Sequence, residues 1–416
     1  MKSTSMRHRL SVLVAVSAMI GPVAGCGSDS GAGSGDVDAV NIGLLEPLSG
    51  PFAENGRQAR LGAELCVEQI NESGGIESLG GAEINLVVQD TGAAAPAQVA
   101  NQLQSMIGQE DLSAVIGAWA SSYTLAASTV AEQAQVPMVT ESFADEIVER
   151  DYRYIFKIPA QAALMGEQAV DSVLELAQSQ DYAVSTAAVV ADNTSAATVS
   201  AEAAAAKLNE AGIEVPVKEF FTPGLTEGTS LSLRVLASDP QLIFLQGALS
   251  DMALLQQAFR EQGYTGPLLG AGSGFVATDY AEIVGEVANG AFSSAGWNWD
   301  MPTEEAEEFA TAFTEKNPEF PFPGQEAGED CAAVHIIAAA LEEAGSADPQ
   351  AVRDTLAEIE ITEGPATILA PGRVKFQENG LLEGAVPVIV QWQDGKPYTV
   401  APEELASKDP IPFEEG

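Results

Sequence analysis

Residues 114–140 read AVIGAWASSYTLAASTVAEQAQVPMVT, and this stretch decides the fold. An apolar run at 114–117 ends in Gly117, a loop of small and hydroxyl-bearing residues follows, residues 123–135 carry apolar side chains at helical spacing, and 137–140 is again apolar. Two short apolar runs joined by a helix read as parallel strands with a covering crossover. The pattern repeats in both directions: strands are expected at 40–45, 84–90, 187–191, 242–246 and 267–270, and helices at 55–71, 94–107, 162–178, 198–211 and 251–262. Gly74, Gly75 and Gly212 stand just past helix ends, where a left-handed residue is favoured. Alternation of this kind implies an α/β fold, its parallel sheets covered by helices on both faces. Near the C-terminus the pattern becomes strand–turn–strand, with Asn379-Gly380 and Asp394-Gly395 as turns between 373–377, 386–392 and 398–400. No repeat of fixed period occurs, which excludes solenoids and propellers.

The N-terminus carries Lys2, Arg7 and Arg9 ahead of an apolar run at 10–20, the layout of a secretory signal and short for a membrane span. Val23-Ala24-Gly25-Cys26 resembles a bacterial lipobox, implying cleavage before Cys26, a lipid on that cysteine and a membrane-tethered protein outside the cell; ordinary secretion is the alternative. Residues 1–25 are then the signal, and 26–39, rich in Gly, Ser, Asp and Ala, form a flexible tether.

Of the 416 residues, 391 follow the signal, which favours two or three domains, with two lobes the first expectation. Removing the signal's three basic residues leaves 15 Lys and Arg against 60 Asp and Glu, a net charge of −45. Nucleic acid needs a basic footprint and is excluded as a partner. With Cys26 modified, Cys66 and Cys331 remain; export permits them to pair, and a buried free thiol suits Cys66 equally, on an apolar helix face with Ala59, Ala63, Val67 and Ile70.

The loop after the 114–117 strand places Trp119, Ser121 and Ser122 at a helix N-terminus, where hydroxyls and free N–H groups suit a carboxylate. Helix capping by either serine, and a core role for Trp119, are the structural alternatives. The loop 140–145, with Ser142, Phe143 and Ala144, lies beside it if the strands are neighbours. Gly270-Ala271-Gly272-Ser273-Gly274-Phe275 is a poor dinucleotide fingerprint, since Phe275 stands at its last glycine. No Walker A sequence or nucleophile elbow occurs. His335, the one histidine after the signal, sits at helical spacing with Ala332, Ile336 and Ala339 and suits packing better than metal or catalysis. No enzyme, metal or cofactor is expected.

The chain resembles the extracellular solute-binding proteins of ABC importers, in the branch typified by the leucine/isoleucine/valine-binding protein. The residues that carry the likeness are Ile42-Gly43-Leu44-Leu45-Glu46-Pro47-Leu48-Ser49-Gly50-Pro51, Gly62-Ala63-Glu64-Leu65, Gly74-Gly75-Ile76, Val115-Ile116-Gly117 with Ser121-Ser122, Val136-Pro137-Met138-Val139, and Val390-Gln391-Trp392-Gln393-Asp394-Gly395-Lys396. The resemblance implies two Rossmann-like lobes joined by three hinge crossovers, 40–159 plus 297–362 and 160–296 plus 363–416, with ligand in the interlobe cleft. It puts Cys66 and Cys331 in one lobe, which favours their pairing. It implies a monomer that captures a small solute and delivers it to an ABC permease driven by separate ATPase subunits, or a sensor built on the same cleft. It assigns the ligand carboxylate to Ser121 and the amino group to the places of Ser142 and Ala144. Asn55 stands where relatives have an aromatic, and Ala196, Ala248 and the Gly272-Ser273 region where their second lobe has aromatics and an acid. Trp119, Phe143 and Phe275 are expected to supply apolar walls. A branched-chain or other apolar amino acid is the leading ligand; an amide, a urea-like compound or a small aromatic carboxylate is the alternative.

Overall fold

The computed structural model describes residues 39–413. The expected signal, lipidated Cys26 and all but the last residue of the tether lie outside the described residues.

The first sheet contains β1 (Ala39–Glu46), β2 (Glu83–Asp90), β3 (Leu112–Gly117), β4 (Met138–Thr140) and β5 (Ile155–Lys157), all parallel in the order β2-β1-β3-β4-β5. Helices α1 (Ala53–Glu72), α2 (Pro96–Gln109) and α3 (Ser121–Ala134) connect β1 to β4. Strand periodicity divides the side chains between two cores: Val40, Ile42 and Leu44 point to α1, while Leu45, Leu112 and Val115 pack with Leu103 of α2 and Ala127 of α3.

The second sheet repeats that winding. After α4 (Ala162–Ser179) come β6 (Thr186–Asp192), α5 (Ser195–Glu210), β7 (Glu214–Phe221), α6 (Thr229–Leu236), β8 (Leu242–Gln246), α7 (Leu249–Glu261), β9 (Leu268–Ala271), α8 (Tyr280–Val284) and β10 (Phe292–Ala295). Its parallel part runs β7-β6-β8-β9-β10, with the strand reversal of the first sheet. Ala187, Val189 and Ala191 face α4 and α5, and Ala188 and Val190 face α6 and α7.

The chain then returns to the first lobe through α9 (Glu304–Lys316), α10 (Gln325–Ala344) and α11 (Pro349–Glu358). Helix α10 lies against α1 so closely that a Cβ on Gly62 would stand 2.1 Å from the Ala327 carbonyl oxygen, which is why glycine is required there. One turn further on, Cys66 and Cys331 are joined by a disulfide, their Cα atoms 5.5 Å apart.

Two short strands follow, β11 (Glu360–Ile361) and β12 (Val374–Lys375), which pair with each other. The chain finishes the second sheet with β13 (Val388–Gln393), antiparallel to β10, and β14 (Lys396–Ala401), antiparallel to β13. The last crossover differs from the expected boundary after 362. Lys157 of β5 donates its N–H to the Gly380 carbonyl, and its own carbonyl accepts from Leu382 N–H, each at 2.8 Å. Residues 380–382 are thus paired to the first sheet, whereas Val388 pairs with Ala295 in the second, which puts the change of sheet between 382 and 388. These backbone bonds bind the stretch to the edge of the first sheet, a non-local pairing that local sequence does not signal.

Candidate functional site

Both sheets reverse their winding at the strand after their first crossover, between β1 and β3 and between β6 and β8. Loops leaving the carboxyl ends of strands diverge at such a point and leave a crevice. The two crevices face each other across a cavity of about 310 Å³. A larger hollow, about 740 Å³, lies near Pro267, Gly290 and Asp394, at the amino ends of strands and away from both switch points.

Trp119 is the centre of the first-lobe wall. Its main-chain N–H donates to Glu141 Oε1 at 2.5 Å, its indole Nε1–H to Glu326 Oε1 at 3.2 Å, and its carbonyl accepts from Ser142 Oγ at 2.6 Å. Phe52 packs beside it, its ring tilted by 45° and 4.8 Å away between centroids. Every polar group of the tryptophan is held by the protein, which leaves its ring as a fixed apolar surface toward the cavity. Ser121 and Ser122 occupy the first turn of α3 and both line the cavity. Neither hydroxyl caps the helix, whose N-cap position is Ala120 with no side-chain cap. The Tyr123 and Thr124 N–H groups bond to the Ala120 carbonyl, which leaves the N–H groups of Ser121 and Ser122, at the start of the helix, as the donors offered to an anionic group.

Behind this wall lies an accumulation of buried acids. Glu46, Glu141, Glu326, Glu329 and Asp330 are each no more than 2% exposed. Burial raises the Glu46 carboxyl well above the usual range, and the neighbouring Glu141 and Asp330 charges add to it. Asp330 is raised well above its ordinary value by burial and then by Glu141 and Glu326. Glu141 is pushed up to about 7 by burial, against the opposing pull of the Trp119 N–H. Glu326 is raised by burial too, opposed by donation from Asn55 Nδ2 at 2.7 Å and from Trp119. Lys157, fully buried at the first crossover, donates from Nζ to the carbonyls of Pro159 at 2.9 Å and Ala160 at 2.8 Å, and burial lowers its amine to about 7.

The second-lobe wall is built from short side chains: Thr194, Ala196, Ala248, Ser273 and Gly274, with Leu249 and Ile283 at its margin. Asp192 also lines it, its carboxylate accepting from the Thr194 N–H at 2.9 Å. Among the described residues no lysine or arginine lines the cavity, whereas Glu54, Asp192, Asp279 and Glu326 do.

Of the residues singled out from sequence, Asn55, Trp119, Ser121, Ser122, Phe143 and Ser273 line the cavity and three do not. Ser142 is fully buried, its hydroxyl between the Trp119 carbonyl and Thr124 Oγ1. Ala144 is fully buried and gives its N–H to Ser121 Oγ at 3.2 Å, so it braces the serine from behind. Phe275 turns into the second-lobe core over Gly270, where a Cβ would stand 2.2 Å from its ring. Asn55 lines the cavity with its amide nitrogen already committed to Glu326. Phe52, Asp192, Glu326 and the acids behind Trp119 escaped sequence reasoning. Glu326, Glu329 and Asp330, at i, i+3 and i+4 of a helix otherwise rich in apolar residues, were the available signal.

The sequence profile of the periplasmic binding protein family matches residues 39–396. The Leu/Ile/Val-binding protein homolog 7 of Brucella abortus (strain 2308) is 28% identical over 379 residues, 88% of this chain and 92% of that protein. The crystal structure of the branched-chain amino acid transporter substrate binding protein LivJ from Streptococcus pneumoniae in complex with isoleucine superposes with a TM-score of 0.75 at 24% identity, covering 86% of this chain and 97% of that one. An ABC transporter solute binding protein from R. palustris in complex with benzoate superposes with a TM-score of 0.74 at 18% identity, covering 91% and 99%. The chain belongs to the periplasmic binding protein family.

Proposed function

We propose that this periplasmic binding protein captures a neutral α-amino acid with an apolar side chain outside the cell and passes it to an ABC permease served by separate ATPase subunits. The observation that carries the reading is the composition of the cavity: the first turn of α3 with Ser121 and Ser122 on one side, the Phe52–Trp119 pair beside it, and no basic side chain among the described residues of the lining. A carboxylate finds donors at the helix start, an ammonium group finds carboxylates at Glu326 and Asp192, and an apolar side chain finds the rings and Leu249. Closure of the lobes about the crossovers encloses the solute.

A neutral amide or urea-like solute is the second reading, favoured by the same lack of basic residues. An aromatic carboxylate is disfavoured, because an anion without an ammonium group would meet Glu54, Asp192, Asp279 and Glu326 with no cation to offset them.

The test is a calorimetric and thermal-shift screen of residues 27–416 against apolar amino acids, amides, urea and benzoate. Saturable binding of one or more apolar amino acids supports the reading; binding of benzoate alone, or of urea alone, overturns it. The anchor is part of the proposal: the wild type should incorporate labelled fatty acid and Cys26→Ser should not.

A further inference from the structure

One cluster behind the cleft has no account in solute binding. Glu46 ends β1, Glu141 follows β4 and Asp330 lies in α10, and one oxygen from each falls within 4.8 Å of the others. All three residues are at least 98% buried. Among the described residues, both oxygens of Glu46, both of Asp330 and Oε2 of Glu141 find no hydrogen-bond partner outside the cluster; within it the Glu46 and Glu141 carboxyls are close enough to share a proton. None of the three takes part in an ion pair among the described residues. The buried Lys157 has its amine on two carbonyl oxygens, and the charges that act on it are Asp145 and Glu329, not these three. Gly117 keeps the space open, since a Cβ there would stand 2.8 Å from Glu46 Oε1.

Carboxylates removed from water need a proton or a cation. We propose that Glu46, Glu141 and Asp330 bind one divalent cation behind the solute cleft, and that Ca²⁺ is the cation they suit. The donor set is all carboxylate oxygen, which selects hard cations over zinc or copper. Opposite oxygens of a Ca²⁺ shell, at about 2.3–2.6 Å from the ion, are about 4.6–5.2 Å apart, and the separations within this cluster, none above 4.8 Å, are compatible with that reach. Mg²⁺ demands a stricter octahedron and holds its water more firmly, so a cluster of three protein carboxylates away from solvent suits it less. The cation would also steady the cleft, because the remaining Glu141 oxygen accepts the main-chain N–H of Trp119. The site stands whichever solute the cleft takes.

The full chain is unfolded in guanidinium with EDTA and refolded with or without roughly 1 mM CaCl₂ or MgCl₂, the upper range of extracellular Ca²⁺ sites. After desalting, metal content is measured by elemental mass spectrometry, alongside the unfolding midpoint. One Ca²⁺ retained per wild-type chain, with a raised midpoint and a smaller effect of Mg²⁺, is expected. Asp330→Asn and Glu141→Gln, checked by circular dichroism for folding, should each lose the retained ion. Absence of retained Ca²⁺ and Mg²⁺ in the wild type overturns the proposal and leaves the cluster holding protons, whatever the variants do. Equal retention by the wild type and a folded variant assigns the ion to the acidic surface and also overturns it.

Discussion

The two walls of the cleft are built on opposite plans. In the first lobe, three polar groups of Trp119 are held by Glu141, Ser142 and Glu326, five acids lie buried behind them, and a disulfide fastens α1 to α10. In the second lobe the wall is mostly alanine, serine, threonine and glycine with Asp192 and Asp279 among them, and two of the lobe's acids are held by nearby loops: Asp192 by Thr194, and Asp251 by the N–H groups of Gly224 and Leu225. A wall that has already spent its conformational freedom presents fixed chemistry, and a wall of short side chains presents mainly shape. On the proposed reading, the donors for a ligand carboxylate come from the first lobe, while the second supplies Asp192 and sets the size limit.

The contrast can be broken most forcefully at the disulfide. It closes a sequence separation of 265 residues, for which chain entropy gives about 5 kcal/mol of stabilisation. Cys66→Ser with Cys331→Ser should lower the denaturant midpoint correspondingly, and an unchanged midpoint would show that α1 and α10 need no fastening. Next comes the wall itself: Trp119→Ala should weaken binding of the best solute by about 2–3 kcal/mol, roughly 30- to 150-fold, as loss of a central aromatic does. Calorimetry that finds less than a threefold change would move recognition away from this lobe.

Lys157 tests whether buried charge at the crossover has the assigned cost. Its folded pKa, about 7, lies below the ordinary 10.5, so the unfolded chain binds a proton that the folded chain has released. Stability from this group therefore rises with pH between those values and is level on either side. Relative to Lys157→Met, the wild type should gain at most about 1.4 kcal/mol per pH unit from pH 7 upward. Parallel urea titrations of the two proteins check this, and parallel pH profiles would refute it. The smallest effect is expected on the second wall: Ser273→Ala should cost less than about 1 kcal/mol of affinity, the value of one exposed hydrogen bond. A larger loss, seen in the same calorimetry, would give the second lobe a polar role and blur the contrast.

What was legible from sequence follows the same division between local and distant. Strands made of apolar runs, such as β1, β3 and β8, announce themselves. β5 carries the buried Lys157, β7 alternates exposed charges along a sheet edge, and β10 contains Ser293 and Ser294, both buried in spite of their hydroxyls. No apolar run marks any of them. Trp119, Ser121 and Ser122 could be placed because one short loop after one strand sets all three. Glu326 could not, because α10 reaches the cleft only after the chain has built the second lobe and come back. On a helical wheel Glu326, Glu329 and Asp330 form a polar face, which ordinarily meets solvent; here that face meets the first sheet.

The woven path also sets a timetable. The first lobe takes α10, Cys331 and residues 374–382 from late in the chain, and the second takes β13 and β14 later still. A polypeptide emerging amino end first can complete neither lobe until its final stretch has been made, and pairings this distant in sequence form slowly. For a protein synthesised on one side of a membrane and used on the other, that delay is an asset: the chain stays thin enough to be threaded while it is being moved, and becomes bulky only after arrival.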